Sequence, residues 1–255
     1  MSNQNRTKLN RMLRNWSKGT VATTSFMKQY DIDYDLIKRY KKSNWIESVG
    51  TGAYTLVDDE VDWYGAIYAL QNQLDLTVHP GAKTALQLLG YSHYLSDKIN
   101  NLYLLGNRGE KLPAWYRKYD WKVKTIYSAN QLLPQESSLG YTEHSHKNFE
   151  IRISAPERAM IEMLYHFPKH HSFQECYKIM ENMVALRPDL CQKLLEKCNS
   201  IKVKRLFSFM ADKIGHNWFD DLVIDKIDLG SGKRKLVDNG AFNKKYNITV
   251  PKEYN

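Results

Sequence analysis

Gly230-Ser231-Gly232-Lys233-Arg234 has the glycines and the lysine of a loop that cradles phosphates. Such a loop also needs a glycine five residues before its second one, and a hydroxyl after the lysine to hold magnesium. Ile227 and Arg234 occupy those positions, so nucleotide hydrolysis is not expected. A basic turn that meets an acidic or nucleic-acid surface fits better. Five histidines cluster loosely as His144, His146, His166, His170 and His171. His166 and His170 have helical spacing, but Pro168 between them breaks the helix that would align them, and no HExxH pattern occurs. Surface or loop histidines are expected, with no metal. Lys83 and Thr84 lie near a helix start that could hold an anion or be merely structural. Glu157 beside Arg158 could act as a general base, but a capping position already explains it. Asp220, Asp221, Asp225 and Asp228 read as a solvated loop rather than a metal-binding carboxylate cluster. No nucleophile-elbow, β-lactamase or kinase signature is present. The sequence implies neither an enzyme nor a cofactor.

The strongest chemical signal is charge. The first 45 residues carry ten cations, Arg6, Lys8, Arg11, Arg14, Lys18, Lys28, Lys38, Arg39, Lys41 and Lys42, against Asp31, Asp33 and Asp35. That stretch has a net charge of +7 in a chain of +9, so the other 210 residues carry only +2. An excess this local is an electrostatic footprint, and a phosphate backbone is the partner it fits.

The elements that position these cations follow from periodicity. Leu9, Met12, Leu13 and Trp16 mark one face of a first helix, expected to end at Gly19. Thr23 or Thr24 can cap a second, with Phe26, Met27 and Tyr30 inward. After a turn at Asp31-Ile32-Asp33, Tyr34 to Ser43 forms a third helix that buries Leu36, Ile37 and Tyr40. Lys38, Arg39, Lys41 and Lys42 are left on its outer surface. Two strands flanking Gly50-Thr51-Gly52 then complete a winged helix-turn-helix. In such modules the third helix enters the major groove while its flanks and the wing contact phosphates.

Val57 to Glu60 marks a boundary. The expected architecture is α+β: a winged helix-turn-helix DNA-binding domain over residues 1–57, then a larger mixed α/β domain over 58–255 with a helical section. Trp63, Ala66, Ile67 and Leu70 predict one helix, and Gly81 to Gly90 another. Strands are expected at 101–105, 122–127 and 149–153, with a helix at 113–119 between the first two. Ser154-Ala155-Pro156-Glu157 has the form of a capping box. Helices at 172–184, 188–198 and 201–214 follow, then extended segments at 226–237 and 246–250. Cys176, Cys191 and Cys198 form no CxxC pair and read as reduced, buried thiols of a cytoplasmic protein. No apolar run reaches 18 residues, which argues against a membrane span.

Several ordered segments resemble one family, the AbiE-type antitoxins called AbiEi. They include K-L-N-R-M-L-R-N-W-S-K-G-T-V, W-I-E-S-V-G-T-G-A-Y, D-W-Y-G-A-I-Y-A-L-Q and G-A-K-T-A-L-Q-L-L-G-Y. K-L-P-A-W-Y, I-S-A-P-E-R-A, C-N-S-I-K-V-K-R-L-F, I-D-L-G-S-G-K-R and Y-N-I-T-V-P-K-E-Y extend the likeness over nearly the whole chain. The resemblance implies the antitoxin of a type IV toxin–antitoxin pair. Its winged helix would bind double-stranded operator DNA at inverted repeats and repress its own operon. The larger domain would counter an AbiEii-like nucleotidyltransferase toxin, without a stable complex. Carried over, Tyr34, Lys38, Arg39, Lys41 and Lys42 would contact DNA, with Thr51 and Gly52 as the wing tip. Lys202, Lys204, Arg205, Lys233 and Arg234 fall in matching segments and are candidates for antitoxicity, although a solvated basic face accounts for them equally well. Two other readings compete: a stand-alone winged-helix regulator with a ligand-sensing or dimerising C-terminal domain, and a nucleic-acid-processing enzyme.

Overall fold

The fold is known from a computed structural model, which describes residues 3–91, 98–134 and 139–255. Helix α1 (Asn3–Asn15) buries Leu9 and Met12, with Trp16 buried just beyond its end. It stops four residues short of the expected Gly19. The Trp16 indole N–H donates to the Thr20 carbonyl at 3.0 Å and the Thr20 hydroxyl to the Ser17 carbonyl at 2.6 Å, folding the chain into a turn. Gly19, at φ +80°, belongs to that turn. Strand β1 (Ala22–Thr23) leads into α2 (Thr24–Lys28), capped by the Thr23 hydroxyl on the Phe26 amide at 3.2 Å. Helix α3 (Tyr34–Lys42) is followed by β2 (Ile46–Gly50) and β3 (Ala53–Leu56).

The three strands form one antiparallel sheet in the order β1-β3-β2, with Ala22 and Ser48 both opposite Tyr54. A bulge between Ser48 and Gly50 shifts the register next to the turn. Gly52, at φ +77°, supplies the left-handed residue which that turn requires. Helix–strand–helix–helix–strand–strand around one small sheet is the winged helix-turn-helix, and its core joins Leu9, Met12, Trp16, Met27, Ile32, Leu36, Ile37, Tyr40 and Ile46.

The remaining elements are α4 (Trp63–Asn72), β4 (His79–Pro80), α5 (Ala82–Leu88), β5 (Asn101–Asn107), α6 (Ala114–Lys118), β6 (Lys124–Asn130), β7 (Tyr141–His146) and β8 (Phe149–Ser154), then the helical section α7 (Pro156–His166), α8 (Phe173–Glu181), α9 (Pro188–Lys197), α10 (Ile201–Ile214) and α11 (Asn217–Asp220). Strands β9 (Arg234–Lys235), β10 (Ala241–Asn243) and β11 (Ile248–Val250) close the chain, β11 pairing parallel with β9 and antiparallel with β10. The protein is thus α+β, as expected. Strand β7 escaped the sequence reading because it alternates between half-buried and exposed without a second apolar residue after Tyr141.

By its contacts the chain forms two compact units: Met1–His79 with Leu105–Ala129 and Glu143–Arg152, and Pro80–Leu104 with Asn130–Thr142 and Ile153–Asn255. In the first, α4 adds Trp63, Ala66, Ile67 and Leu70 to the buried residues. Buried Gln73 extends its sheet with a side chain, accepting from the Thr23 amide and donating to the Val21 carbonyl, each at 2.8 Å.

In the second unit the expected capping box does not form. Pro156 occupies the first turn of α7 and Ala155 the cap, with no side-chain cap bond. Ser154 still belongs to β8, and its hydroxyl donates instead to Glu162 at 2.7 Å. Glu157, freed from capping, is buried and takes a two-pronged ion pair from Arg187, Nε at 2.9 Å and Nη2 at 2.9 Å. Burial alone would raise its pKa, but the Arg187 bonds hold it below the usual carboxylate range. The three cysteines are free and buried, as expected.

Candidate nucleic-acid interface

The third helix is held from its start. The Asp33 carboxylate accepts from the Leu36 amide at 2.8 Å, satisfying one of the donors that a helix N-terminus leaves free. Leu36, Ile37 and Tyr40 are buried, and burial, with Asp33 nearby, pushes the Tyr40 hydroxyl's pKa up. These inward anchors leave Tyr34, Lys38, Arg39, Lys41 and Lys42 exposed on the outer face. Tyr34 is 66% exposed, and the Lys38 ammonium lies 4.4 Å from its ring centroid. None of the four cations makes an ion pair with a described residue. The helix thus presents positive charge without an internal counter-ion. Trp45, a residue sequence reasoning did not single out, is also exposed, three residues past the end of the helix.

The wing is more constrained than its glycines imply. Thr51 is exposed and Gly52 half-buried at the tip. On the strand leading to them, a Cβ on Gly50 would sit 2.8 Å from the Trp115 Cβ, so α6 packs directly on β2. The run of aromatics from Trp115 to Trp121 was the available sequence signal for this support.

The C-terminal candidates divide into two kinds. Lys204 and Arg205 are buried, which corrects the solvated-face reading for both. The Arg205 guanidinium donates to the carbonyls of Leu229 (2.6 Å), Gly230 (2.9 Å), Gly232 (2.7 Å) and Asn247 (3.0 Å). The glycine-rich loop therefore turns its carbonyls onto a cation, the opposite polarity to a phosphate cradle of N–H groups. Lys202 donates to the carbonyls of Tyr165 (2.9 Å) and Phe167. Only Lys233 and Arg234 are exposed.

The other reactive residues are accounted for internally. Lys83 pairs with Glu175 at 2.6 Å, and the amide at the start of α5 is taken by Glu162 at 3.0 Å. Of the two readings open for Lys83, the structure gives the internal one, with carboxylates of the chain itself as partners. His166 and His171 are buried against Tyr103 rather than at the surface. Among the described residues no group of three or more His, Cys, Asp or Glu could hold a metal. Asp220, Asp221, Asp225 and Asp228 are exposed, as expected. No described helix is long and apolar enough to cross a membrane.

A crystal structure of the RV2827C protein from Mycobacterium tuberculosis has a similar fold, with a TM-score of 0.59 over 95% of this chain and 89% of that one, at 12% identity. No curated protein matches the sequence. Residues 5–97 match the model of the AbiEi antitoxin N-terminal domain, a transcriptional regulator. Residues 99–251 match that of the transcriptional regulator, AbiEi antitoxin, of type IV toxin–antitoxin systems. The chain therefore belongs to the AbiEi antitoxin family of transcriptional regulators in type IV toxin–antitoxin systems.

Proposed function

We propose that residues 1–57 read double-stranded operator DNA at inverted repeats and repress the chain's own operon. The observation that carries this is the outer face of α3, where Tyr34, Lys38, Arg39, Lys41 and Lys42 stand exposed, the four cations without ion pairs to described residues. Four cations on a short helix cannot all reach base edges. Some hold phosphates and give affinity with a steep salt dependence, while the rest discriminate at about 1–3 kcal/mol for each bidentate base contact. Repression is steric: two copies on two half-sites exclude polymerase.

The larger region counters an AbiEii-like nucleotidyltransferase toxin in the cytoplasm, as the family match supports. Lys233 and Arg234 are its candidate contact residues. Arg205 serves by holding the backbone of the loop that carries them, and Lys202 by holding the carbonyls of Tyr165 and Phe167. The protein does this as a regulator and not as an enzyme.

Fluorescence anisotropy tests the first half, using duplex from upstream of the gene, a scrambled duplex and a salt series. Tight binding to the native duplex that is lost when Lys38, Arg39, Lys41 and Lys42 become Ala supports repression. Equal weak binding to both duplexes refutes it. Co-expression with the neighbouring toxin gene, comparing the wild type with Lys233→Ala/Arg234→Ala, tests the second half.

A further inference from the structure

We propose that α6 is a second DNA-contacting element, in which Lys111, Arg117 and Lys118 hold the phosphate backbone beside the site read by α3. The inference rests on the operator-binding reading of α3 and extends it to a part of the chain far away in sequence.

Strand β2 is the edge of the winged-helix sheet, and both α3 and α6 pack on it. Gly50, at its end, fits against α6 only because it has no side chain: a Cβ there would lie 2.8 Å from the Trp115 Cβ and 2.9 Å from its Cα. Trp115 is buried, which leaves Arg117 and Lys118 in the last turn of α6 on the exposed side. From Ile46, next to α3, to Gly50, next to α6, is four strand steps, about 13 Å. That is well within the roughly 34 Å of one DNA turn, so one duplex can meet both helices.

The charge around α6 matches that partner. Residues 108–124 contain Arg108, Lys111, Arg117, Lys118, Lys122 and Lys124 against only Glu110 and Asp120. Both acids are already engaged. Glu110 accepts from the amides of Thr77 and Asn107, each at 2.9 Å, and Asp120 pairs with Lys122. Lys111, Arg117 and Lys118 are exposed and make no ion pair with a described residue. Cations of this kind, on a helix packed against the same strand as the helix that reads bases, contact phosphates and set register without reading sequence.

The test compares the full-length wild type with Arg117→Ala/Lys118→Ala and Arg117→Lys/Lys118→Arg by anisotropy. Native and scrambled duplexes of equal length are titrated across a salt series. The alanine variant is expected to lose on the order of tenfold in affinity for both duplexes, with the log–log salt slope reduced by about 2 and the native-to-scrambled ratio unchanged. The charge-conserving variant keeps the wild-type slope. Unchanged affinity and slope in the alanine variant overturn the inference and leave α6 as a support for the wing. A collapse of the native-to-scrambled ratio also overturns it, since α6 would then be reading bases. If the wild type itself does not distinguish the duplexes, operator reading fails, yet the slope on scrambled DNA still decides the role of α6.

Discussion

A Cβ on Gly65 would stand 1.9 Å from the carbonyl oxygen of Gly19. Helix α4 thus lies against the turn that follows α1, and the Val21 amide donates to the Gly65 carbonyl at 3.3 Å. The obstacle is backbone, not the end of a flexible side chain, so it cannot yield cheaply. Gly65→Ala is expected to cost about 3 kcal/mol by overpacking, well beyond the roughly 1 kcal/mol that alanine gains in helix propensity. Urea denaturation reads this directly, and an unchanged midpoint would show that the α1–β1 turn can move away.

Asp33 contributes to α3 in two opposed ways. Its carboxylate caps the helix, and its negative charge lies beside a face proposed to meet phosphates. Asp33→Ala is expected to lose about 1 kcal/mol of stability, whereas Asp33→Asn keeps the cap and loses almost nothing. Asn also removes the charge, so its affinity for duplex DNA should equal or exceed that of the wild type at low salt. Weaker binding by Asp33→Asn would mean that the carboxylate itself positions the helix.

The winged helix was legible because local rules and packing agree there. Leu36, Ile37 and Tyr40 keep helical spacing and are buried, Asp33 caps, and Gly50-Thr51-Gly52 turns the wing. Ser154 to Glu157 reads as a capping box only when its surroundings are ignored. Glu162 and Arg187, both distant from the motif's own spacing, recruit its serine and its glutamate. Likewise, Lys204 and Arg205 look like surface cations, and nothing local signals that four carbonyls at Leu229, Gly230, Gly232 and Asn247 surround the Arg205 guanidinium. Pairings between residues far apart in the chain leave no periodicity to read.

The Arg205 guanidinium bonds all four of those carbonyls, and the residue is 1% exposed. Arg205→Ala removes a buried side chain together with its bonds to four carbonyls, one of which, Asn247, keeps the Arg234 amide, and is expected to cost about 3 kcal/mol. Arg205→Lys keeps the charge but replaces a planar fork with a single ammonium, so it should recover only part of the loss. Denaturation midpoints for the two variants give the order, and the same pair bears on Lys233 and Arg234. If those residues need a fixed loop, protection from the toxin should follow the stability order Arg, Lys, Ala. Full protection by a folded Arg205→Ala protein would separate the loop's conformation from its function.

His166 makes the fold sensitive to acid. It is 8% exposed, and burial, then the neighbouring His171 and His170, lower its pKa from 6.5 to about 4. The folded state therefore keeps the ring neutral, while the unfolded chain binds a proton below pH 6.5. Stability from this group is fully present above pH 6.5 and is lost as pH falls towards 4, by on the order of 3 kcal/mol. Glu175, which Lys83 and His171 hold down at about 2 against the opposing effect of burial, adds a further loss only below the ordinary carboxylate range near 4.5. The two windows are separable. His166→Phe removes the titrating ring and keeps an aromatic beside Tyr103, so its urea midpoint should fall less than that of the wild type between pH 6.5 and 4.5. The curves should run parallel only well below pH 4, once His166 is protonated in the folded state as well and only the carboxylates still respond. A wild-type-to-variant difference that stays constant from pH 7.5 to 4.5 would mean that His166 is protonated as readily in the folded protein as in the unfolded one.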